Sequence, residues 1–140
     1  MRALFDTDVV LDLVLDREPF VEAAAALFES HEQGRVDGYI SGITLVNVFY
    51  VARKIKGSGG ARRAVEELLA TLNVCPLDQT ALENAQRLAF TDYEDAVQHA
   101  CATASNLDAI VTRNLDDYKN ASLPVFTPTD FLNHLKSQQS

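Results

Sequence analysis

The chain has 140 residues, of which 47% are apolar and 23% are charged, and its formal net charge at pH 7 is −8. This length and composition are typical of one globular domain with a substantial core, so a long disordered tail is excluded and we predict a single domain over residues 1–140. The net negative charge excludes a protein that coats nucleic acid by overall attraction, because phosphate binding requires Lys or Arg.

The first half of the chain alternates short apolar segments with helical patterns. In chain order these patterns predict a strand over 2–5, a helix over 8–16, a helix over 20–33 after Pro19, a strand over 38–41 and a buried helix over 44–56. The segment KGSGG at 56–60 follows, and its glycines predict a flexible connection.

The second half continues the alternation. It predicts an amphipathic helix over 61–72, a strand over 73–77, helices over 80–90 and 94–105, strands over 109–112 and 124–126, and a helix over 129–136. Short apolar strands that alternate with helices, without hairpin turns, indicate parallel strands covered on both faces. We therefore predict a three-layer α/β/α sandwich with a short parallel sheet.

The cysteines and the apolar segments indicate where the protein resides. Cys75 and Cys101 fit no metal or redox spacing and lie in apolar surroundings, so both are interpreted as core residues in a reducing compartment. The apolar segment before Asp6 is too short for a secretory signal, and no segment is long enough to span a bilayer. A soluble, cytoplasmic protein without membrane contact is expected.

Carboxylates follow predicted strands or begin predicted helices in three separate segments. They are Asp6, Asp8, Asp92, Asp95, Asp116 and Asp117. Ligands bind beyond the carboxyl ends of parallel strands, where these acids can meet. Two charges about 4 Å apart repel by roughly 4 kcal/mol at an effective dielectric constant near 20, so a cluster requires a cation or bound protons. No His or Cys cluster is nearby, so oxygen ligation favours Mg²⁺ or Mn²⁺, and such an ion supports phosphodiester hydrolysis.

Each acid also has a structural interpretation. Thr91 and Glu94 have the spacing of a capping box, which makes the acids over 92–95 ordinary residues of a helix start. Asp8 fits an N-cap, and the acids at 116–117 fit a turn. Asp6 is the exception, because it directly follows the apolar RALF segment and capping does not obviously require it.

Two polar residues lie in apolar surroundings. Asn47 is enclosed by the segment TLVNVFYVA, so its amide either makes a structural hydrogen bond or orients an acid or a metal-bound water. Thr112, at the end of its predicted strand, has the same two interpretations. His99 lies one helical turn after Asp95, and a core position is favoured over a ligand role.

The basic residues are concentrated in the acid-free segment 53–63. They are Arg53, Lys54, Lys56, Arg62 and Arg63. A solvated helix end is the favoured interpretation, and a patch that contacts phosphates is the alternative. Tyr50, Tyr93 and Tyr118 could stack on bases, but packing is expected.

Four segments together resemble a known family. LFDTDVVLDLVLDREP, ISGITLVNVFYVARK, DYEDAVQHACA and IVTRNLDDY are similar, in order and spacing, to PIN domains and more narrowly to VapC-like toxins of bacterial toxin–antitoxin pairs. The resemblance covers nearly the whole chain. It implies a parallel sheet between helices, endoribonuclease activity with Mg²⁺ or Mn²⁺, an RNA substrate, and an antitoxin or a second copy of the chain as partner.

The resemblance assigns site residues. The family's first acid corresponds to Asp6, and the acids of its D-x-x-D-A motif correspond to Asp92 and Asp95. Its late motif, T-R-D followed by another acid and an aromatic residue, corresponds to Thr112, Arg113, Asn114, Asp117 and Tyr118.

The chain departs from the family pattern at two positions. Asn47 stands where many PIN nucleases have Glu, and Asn114 stands where many have Asp. The loss of two carboxylates weakens cation binding, whereas Asp8 and Asp117 add negative charge to the expected cluster.

Three functions follow from these observations. The first is a metal-dependent ribonuclease toxin with Asp6, Asp95 and Asp117 at its centre. The second is a catalytically weakened PIN domain that binds RNA or a partner protein, as Asn47 and Asn114 suggest. The third is a haloacid-dehalogenase-like phosphatase with Asp6 as nucleophile, which LFDTDVV resembles, although the downstream Lys and late G-D motif of that family are not evident.

Overall fold

The computed structural model describes residues 1–138. Its five-stranded sheet has the order β3-β2-β1-β4-β5, and every pair of neighbours is parallel. The strands are β1 (Arg2–Phe5), β2 (Asp37–Ser41), β3 (Asn73–Cys75), β4 (Ala109–Val111) and β5 (Val125–Phe126). The helices are α1 (Thr7–Val14), α2 (Val21–Glu32), α3 (Gly42–Thr71), α4 (Gln79–Gln86), α5 (Tyr93–Ala104) and α6 (Pro128–Gln138), and a 3₁₀ turn spans Leu115–Tyr118.

The central strand β1 separates two apolar cores. Ala3 and Phe5 point to one face, where they pack with residues of α1, α2, α3 and α6. Leu4 points to the other face, where α4 and α5 supply most of the packing residues. This alternation follows from the two-residue period of a strand. The predicted three-layer α/β/α sandwich is confirmed.

The segment predicted as a flexible connection is different in the structure. Residues 56–60 are part of α3, whose only non-helical residue is Gly57, with φ 75° and ψ 173°. A single residue therefore redirects the chain between two helical halves. The prediction of a five-residue linker was wrong, because glycines in a sequence do not distinguish a loop from a one-residue break.

The bounds of two other predicted elements also change. The third strand ends at Cys75 rather than at 77, because Pro76 has no N–H to donate to a neighbouring strand. The next helix begins at Gln79, since the Asp78 side chain accepts a hydrogen bond from the Ala81 N–H at 2.9 Å, and it ends at Gln86 rather than at 90.

The two cysteines lie in the core, as the sequence predicts. Cys75 and Cys101 are both buried and free. Of the helices within residues 1–138, not one is long and apolar enough to cross a membrane.

Candidate functional site

Asp6 occupies the point of the sheet where a ligand crevice is expected. Its backbone N–H donates to the Val111 carbonyl at 3.0 Å, which joins the carboxyl ends of β1 and β4. The chain runs from β1 outward to β3 in one direction and to β5 in the other, and open parallel sheets bind ligands at such a switch point. Asp6 is the N-cap residue of α1, yet its side chain makes no capping hydrogen bond.

Two neutral donors fix the Asp6 carboxylate, which is only 5% exposed. Gln98 donates from Nε2 to Oδ1 at 2.9 Å, and the Thr112 hydroxyl donates to Oδ2 at 2.6 Å. Burial raises the pKa of Asp6, while these two hydrogen bonds act to lower it. The carboxylate is thus oriented by groups that leave its charge uncompensated.

A buried polar chain holds Gln98 in place. Its Oε1 accepts from the Thr7 backbone N–H at 3.2 Å and from the Thr44 hydroxyl at 3.4 Å, and the hydroxyls of Thr7 and Thr44 lie 2.8 Å apart. With Oε1 engaged by these donors, Nε2 must face Asp6. Sequence reasoning missed Gln98 and Thr44; the available signal was a polar residue on the apolar face of α5, three positions after Asp95.

Asp95 brings the second acidic segment to the same place. It lies in the first turn of α5, and Tyr118 donates from its hydroxyl to Asp95 Oδ1 at 3.4 Å. The pKa of Asp95 is raised from 3.8 to about 7, first by burial and then by Asp6, Asp92, Asp117 and Glu94. The three predicted acidic segments therefore converge.

The third segment lies on the open side of this cluster. Asp116 and Asp117 are exposed on the 3₁₀ turn. With Asp92 and Asp95 they line a cavity of about 250 Å³ that also includes Lys119. Asp117 thus lies at the solvent-facing edge of the site rather than at its buried floor.

Glu94 is the carboxylate that sequence reasoning underrated. Asn47 donates from Nδ2 to Glu94 Oε1, and the pKa of Glu94 is raised by burial and then by Asp6, Asp92 and Asp8. The Asn47 amide therefore has its polar partner on α5. Glu94 faces the acidic cluster as well as starting a helix.

The proposed capping box is wrong. Asp92 is the N-cap of α5, and its side chain accepts from the Asp95 backbone N–H at 3.1 Å. A cap therefore exists at this helix start, but Asp92 provides it in place of Thr91. Asp92 combines this structural role with a position next to Asp95.

The two remaining predicted site residues lie at its periphery. Asp8 is partly buried in the first turn of α1, so the N-cap interpretation is wrong, and its charge raises the pKa of Asp6 and Glu94. Asn114 is exposed, and its backbone N–H donates to the Thr112 hydroxyl oxygen at 3.1 Å.

His99 is a core residue. It is 3% exposed, and its Nε2 accepts from the Ser122 backbone N–H at 3.0 Å, which places the proton of the neutral ring on Nδ1. Burial lowers its pKa. Tyr118 packs as expected, at 2% exposed, whereas Tyr50 and Tyr93 are 53% and 47% exposed, so the packing prediction was wrong for those two.

The donor chemistry of the cluster suits a hard divalent cation. Within residues 1–138, no three His, Cys, Asp or Glu side chains are arranged as a preformed metal site. The charged neighbours that shift the pKa values of Asp6, Glu94 and Asp95 are nevertheless all carboxylates. Carboxylate oxygens are the ligands that Mg²⁺ and Mn²⁺ prefer, so the residues fit such an ion.

Comparison with known proteins gives a consistent family and fold. Residues 2–116 match a family model described as PIN domain. A toxin–antitoxin complex from Klebsiella pneumoniae is 28% identical, with a TM-score of 0.66, and covers 90% of this chain and 97% of the matched chain. No curated protein matches the sequence.

Two more distant structures share the fold. A DNA-bound VapBC from Salmonella typhimurium is 20% identical, with a TM-score of 0.72 and coverage of 91% of this chain and 98% of its own. A Sarcin-Ricin loop cleaving toxin from Mycobacterium tuberculosis is 15% identical, with a TM-score of 0.65 and coverage of 77% and 86%, respectively.

Proposed function

The chain belongs to the PIN-domain family, whose model matches residues 2–116, and from this premise we propose that it is a single-domain, metal-dependent endoribonuclease that acts as the cytoplasmic toxin of a toxin–antitoxin pair. The observation that carries the proposal is the convergence of three segments at the switch point of the sheet, which bring together Asp6, the pair Glu94 and Asp95, and Asp117.

Mg²⁺ or Mn²⁺ would be held by Asp6, Glu94 and Asp95, with Asp117, Asp8 and Asp92 adding negative charge around them. When bound, such an ion neutralises charge on a scissile phosphate and lowers the pKa of a water molecule. Glu94 supplies, from α5, a carboxylate that α3 lacks at Asn47. This arrangement favours an active nuclease over the catalytically weakened PIN domain.

The neutral residues of the site orient the acids. Thr112 and Gln98 hold the two oxygens of Asp6, and Asn47 holds Glu94. Asn114 acts through its backbone, which supports the Thr112 hydroxyl. The haloacid-dehalogenase-like alternative is disfavoured, because both oxygens of Asp6 are engaged and the side chain is only 5% exposed, which suits a nucleophile poorly.

An antitoxin partner is supported by the Klebsiella toxin–antitoxin complex, the comparison structure at 28% identity. The chain also has a groove of about 770 Å³ between α1, α2 and the second half of α3, with Leu13, Phe28 and Leu68 among its apolar residues and Glu29 and Arg63 among its charged ones. Such a lining suits an amphipathic protein segment. A homodimer is compatible with the same proposal.

The test is cleavage of single-stranded RNA by the purified chain with Mg²⁺, with Mn²⁺ and with EDTA. Asp6→Asn and Asp95→Asn are each expected to reduce the rate by about a hundredfold or more, because each removes charge that holds the ion. Asp130→Asn, an exposed acid of α6, is the matched control and should retain the wild-type rate. Equal cleavage by all four proteins would reject the assignment, and no cleavage by the wild type would favour the weakened domain.

A further inference from the structure

The first half of α3 presents a face that combines exposed cations with exposed aromatic surface. Tyr50 is 53% exposed, and the Arg53 guanidinium lies over its ring at 5.3 Å. Arg62, from the second half of the helix, lies 5.9 Å from the centre of the Phe49 ring, and the rings of Phe49 and Tyr50 meet edge to face at 5.2 Å. The two halves of α3 thus build one layered surface.

The cations of this surface form no ion pair with an acid in the described part of the chain. Within residues 1–138, ion pairs involve Arg17 and Arg113 with Asp12, and none includes Arg53, Lys54 or Arg62. All three are exposed. In a chain with a net charge of −8, an unpaired cationic surface is a local exception that attracts an anion.

The surface begins beside the carboxylate cluster. Asn47, Tyr50 and Lys54 are separated by three and four residues, so they share one side of the helix. Asn47 contacts Glu94 of the cluster, and Lys54 follows about 10 Å farther along at 1.5 Å per residue. Anything that extends from the acidic site along this side of α3 meets the aromatic ring and then the cations.

We propose that Tyr50, Arg53, Lys54 and Arg62 form a binding track for the single-stranded RNA next to the scissile phosphate, with the cations on backbone phosphates and a base stacked on the Tyr50–Arg53 layer. The proposal rests on the proposed function. Phosphates would be the negatively charged partners of these cations, and bases stack on aromatic rings and on guanidinium planes. A protein partner is the competing occupant, and exposed Val46, one turn before Tyr50, would suit it.

The test is binding of a fluorescein-labelled single-stranded RNA to the whole chain in EDTA, followed by anisotropy as the salt concentration is varied. The test variant is Arg53→Gln/Lys54→Gln/Arg62→Gln. The control variant is Arg35→Gln/Arg87→Gln/Lys136→Gln, which removes three exposed charges on other segments. Both variants have the same net charge, so any difference between them depends on position.

The test variant is expected to bind at least tenfold more weakly, and its slope of log affinity against log salt should fall by about 2, since each phosphate contact contributes about 0.7. Tyr50→Ala should weaken binding about tenfold with an unchanged slope. Equal weakening by both triple variants would overturn the proposal. So would unchanged RNA binding with loss of self-association in gel filtration, which would make the face a protein interface.

The proposed nuclease activity and the proposed RNA-binding track are tested by different measurements. Because EDTA removes divalent ions, binding is measured without cleavage. Wild-type RNA binding without cleavage under any metal would reject the nuclease and leave the track intact. Cleavage with the same KM for wild type and both triple variants would reject the track and leave the nuclease intact.

Discussion

Two buried aspartates at α1 differ in their hydrogen-bond partners, because Asp12 contacts an arginine and Asp6 contacts neutral side chains. Asp12 is 1% exposed and accepts from Arg113 Nε at 2.7 Å and from Nη2 at 3.2 Å. Asp6, at 5% exposed, accepts from the neutral side chains of Gln98 and Thr112. A buried carboxylate without a cation is costly. Within residues 1–138, ion pairs with arginine reach Asp12 and not Asp6, and the divalent ion proposed above would supply the positive charge at Asp6.

The contact between Asn47 and Glu94 allows a test in which the amide and the carboxylate exchange positions. Glu94→Gln removes a proposed ligand and is expected to weaken Mn²⁺ binding by about tenfold or more, as measured by calorimetry at pH 8. The double variant Asn47→Glu/Glu94→Gln reverses the pair, so the amide donates from α5 and the carboxylate lies on α3. This exchange should recover most of the lost affinity.

Glu22→Gln, an exposed acid of α2, is the control and should bind Mn²⁺ as the wild type does. Wild-type affinity in Glu94→Gln would show that Glu94 is only a residue of the helix start. Failure of the exchange to recover affinity, with folding confirmed by circular dichroism, would show that the ion requires the carboxylate on α5.

At the scale of elements, the order of strands and helices followed from local patterns. The strand before Asp6 and the strand before Thr112 were visible as short apolar runs, and parallel pairing placed their ends together. The contact between Gln98 and Asp6 could not be predicted from the sequence, because it depends on how α5 packs against β1. Glu94 carried the same ambiguity, since an acid in the first turn of a helix is favoured whether or not it faces a site.

The break in α3 is the element-scale feature that brings Arg62 back toward Phe49. Gly57 has φ 75° and ψ 173°, a conformation that essentially only glycine adopts. No atom lies within 4 Å of a Cβ built there, so the cost of Gly57→Ala is backbone strain alone. We expect this variant to lose about 1–3 kcal/mol of unfolding free energy in urea denaturation.

Gly59→Ala is the matched control two residues later. Its added Cβ would lie 3.8 Å from Arg63 Nη1, an ordinary contact, and its backbone is helical. Alanine is favoured over glycine inside a helix by about 0.5–1 kcal/mol, so this variant should be as stable as the wild type or slightly more stable. Equal stability of Gly57→Ala and Gly59→Ala would mean that the break is not fixed by the backbone of Gly57.

At the scale of the whole molecule, folding brings several carboxyl groups together at one end of the sheet, and their repulsion lowers the stability of the folded state. The pKa of Asp95 is raised from 3.8 to about 7, and those of Asp6 and Glu94 are raised as well. At a pH between the pKa of the unfolded chain and the raised pKa of the folded chain, the folded chain holds a proton that the unfolded chain has released. The stability from Asp95 is therefore present below about pH 4 and is lost as the pH rises to about 7.

An ion that binds the ionised cluster should reverse this loss, because a ligand of the folded state alone stabilises it. In EDTA, the urea midpoint of the wild type is expected to fall between pH 5 and pH 8 relative to that of Asp95→Asn, which lacks the titrating group. Asp6, Glu94 and buried His99, whose pKa values are also shifted, are present in both proteins, so the difference between the two proteins reports on Asp95. Saturating Mn²⁺ should raise the wild-type midpoint at pH 8 and leave that of Asp95→Asn nearly unchanged. Asp130→Asn should follow the wild type throughout. A Mn²⁺ effect of equal size in all three proteins would mean that the ion acts on the overall charge of the surface and not on this cluster.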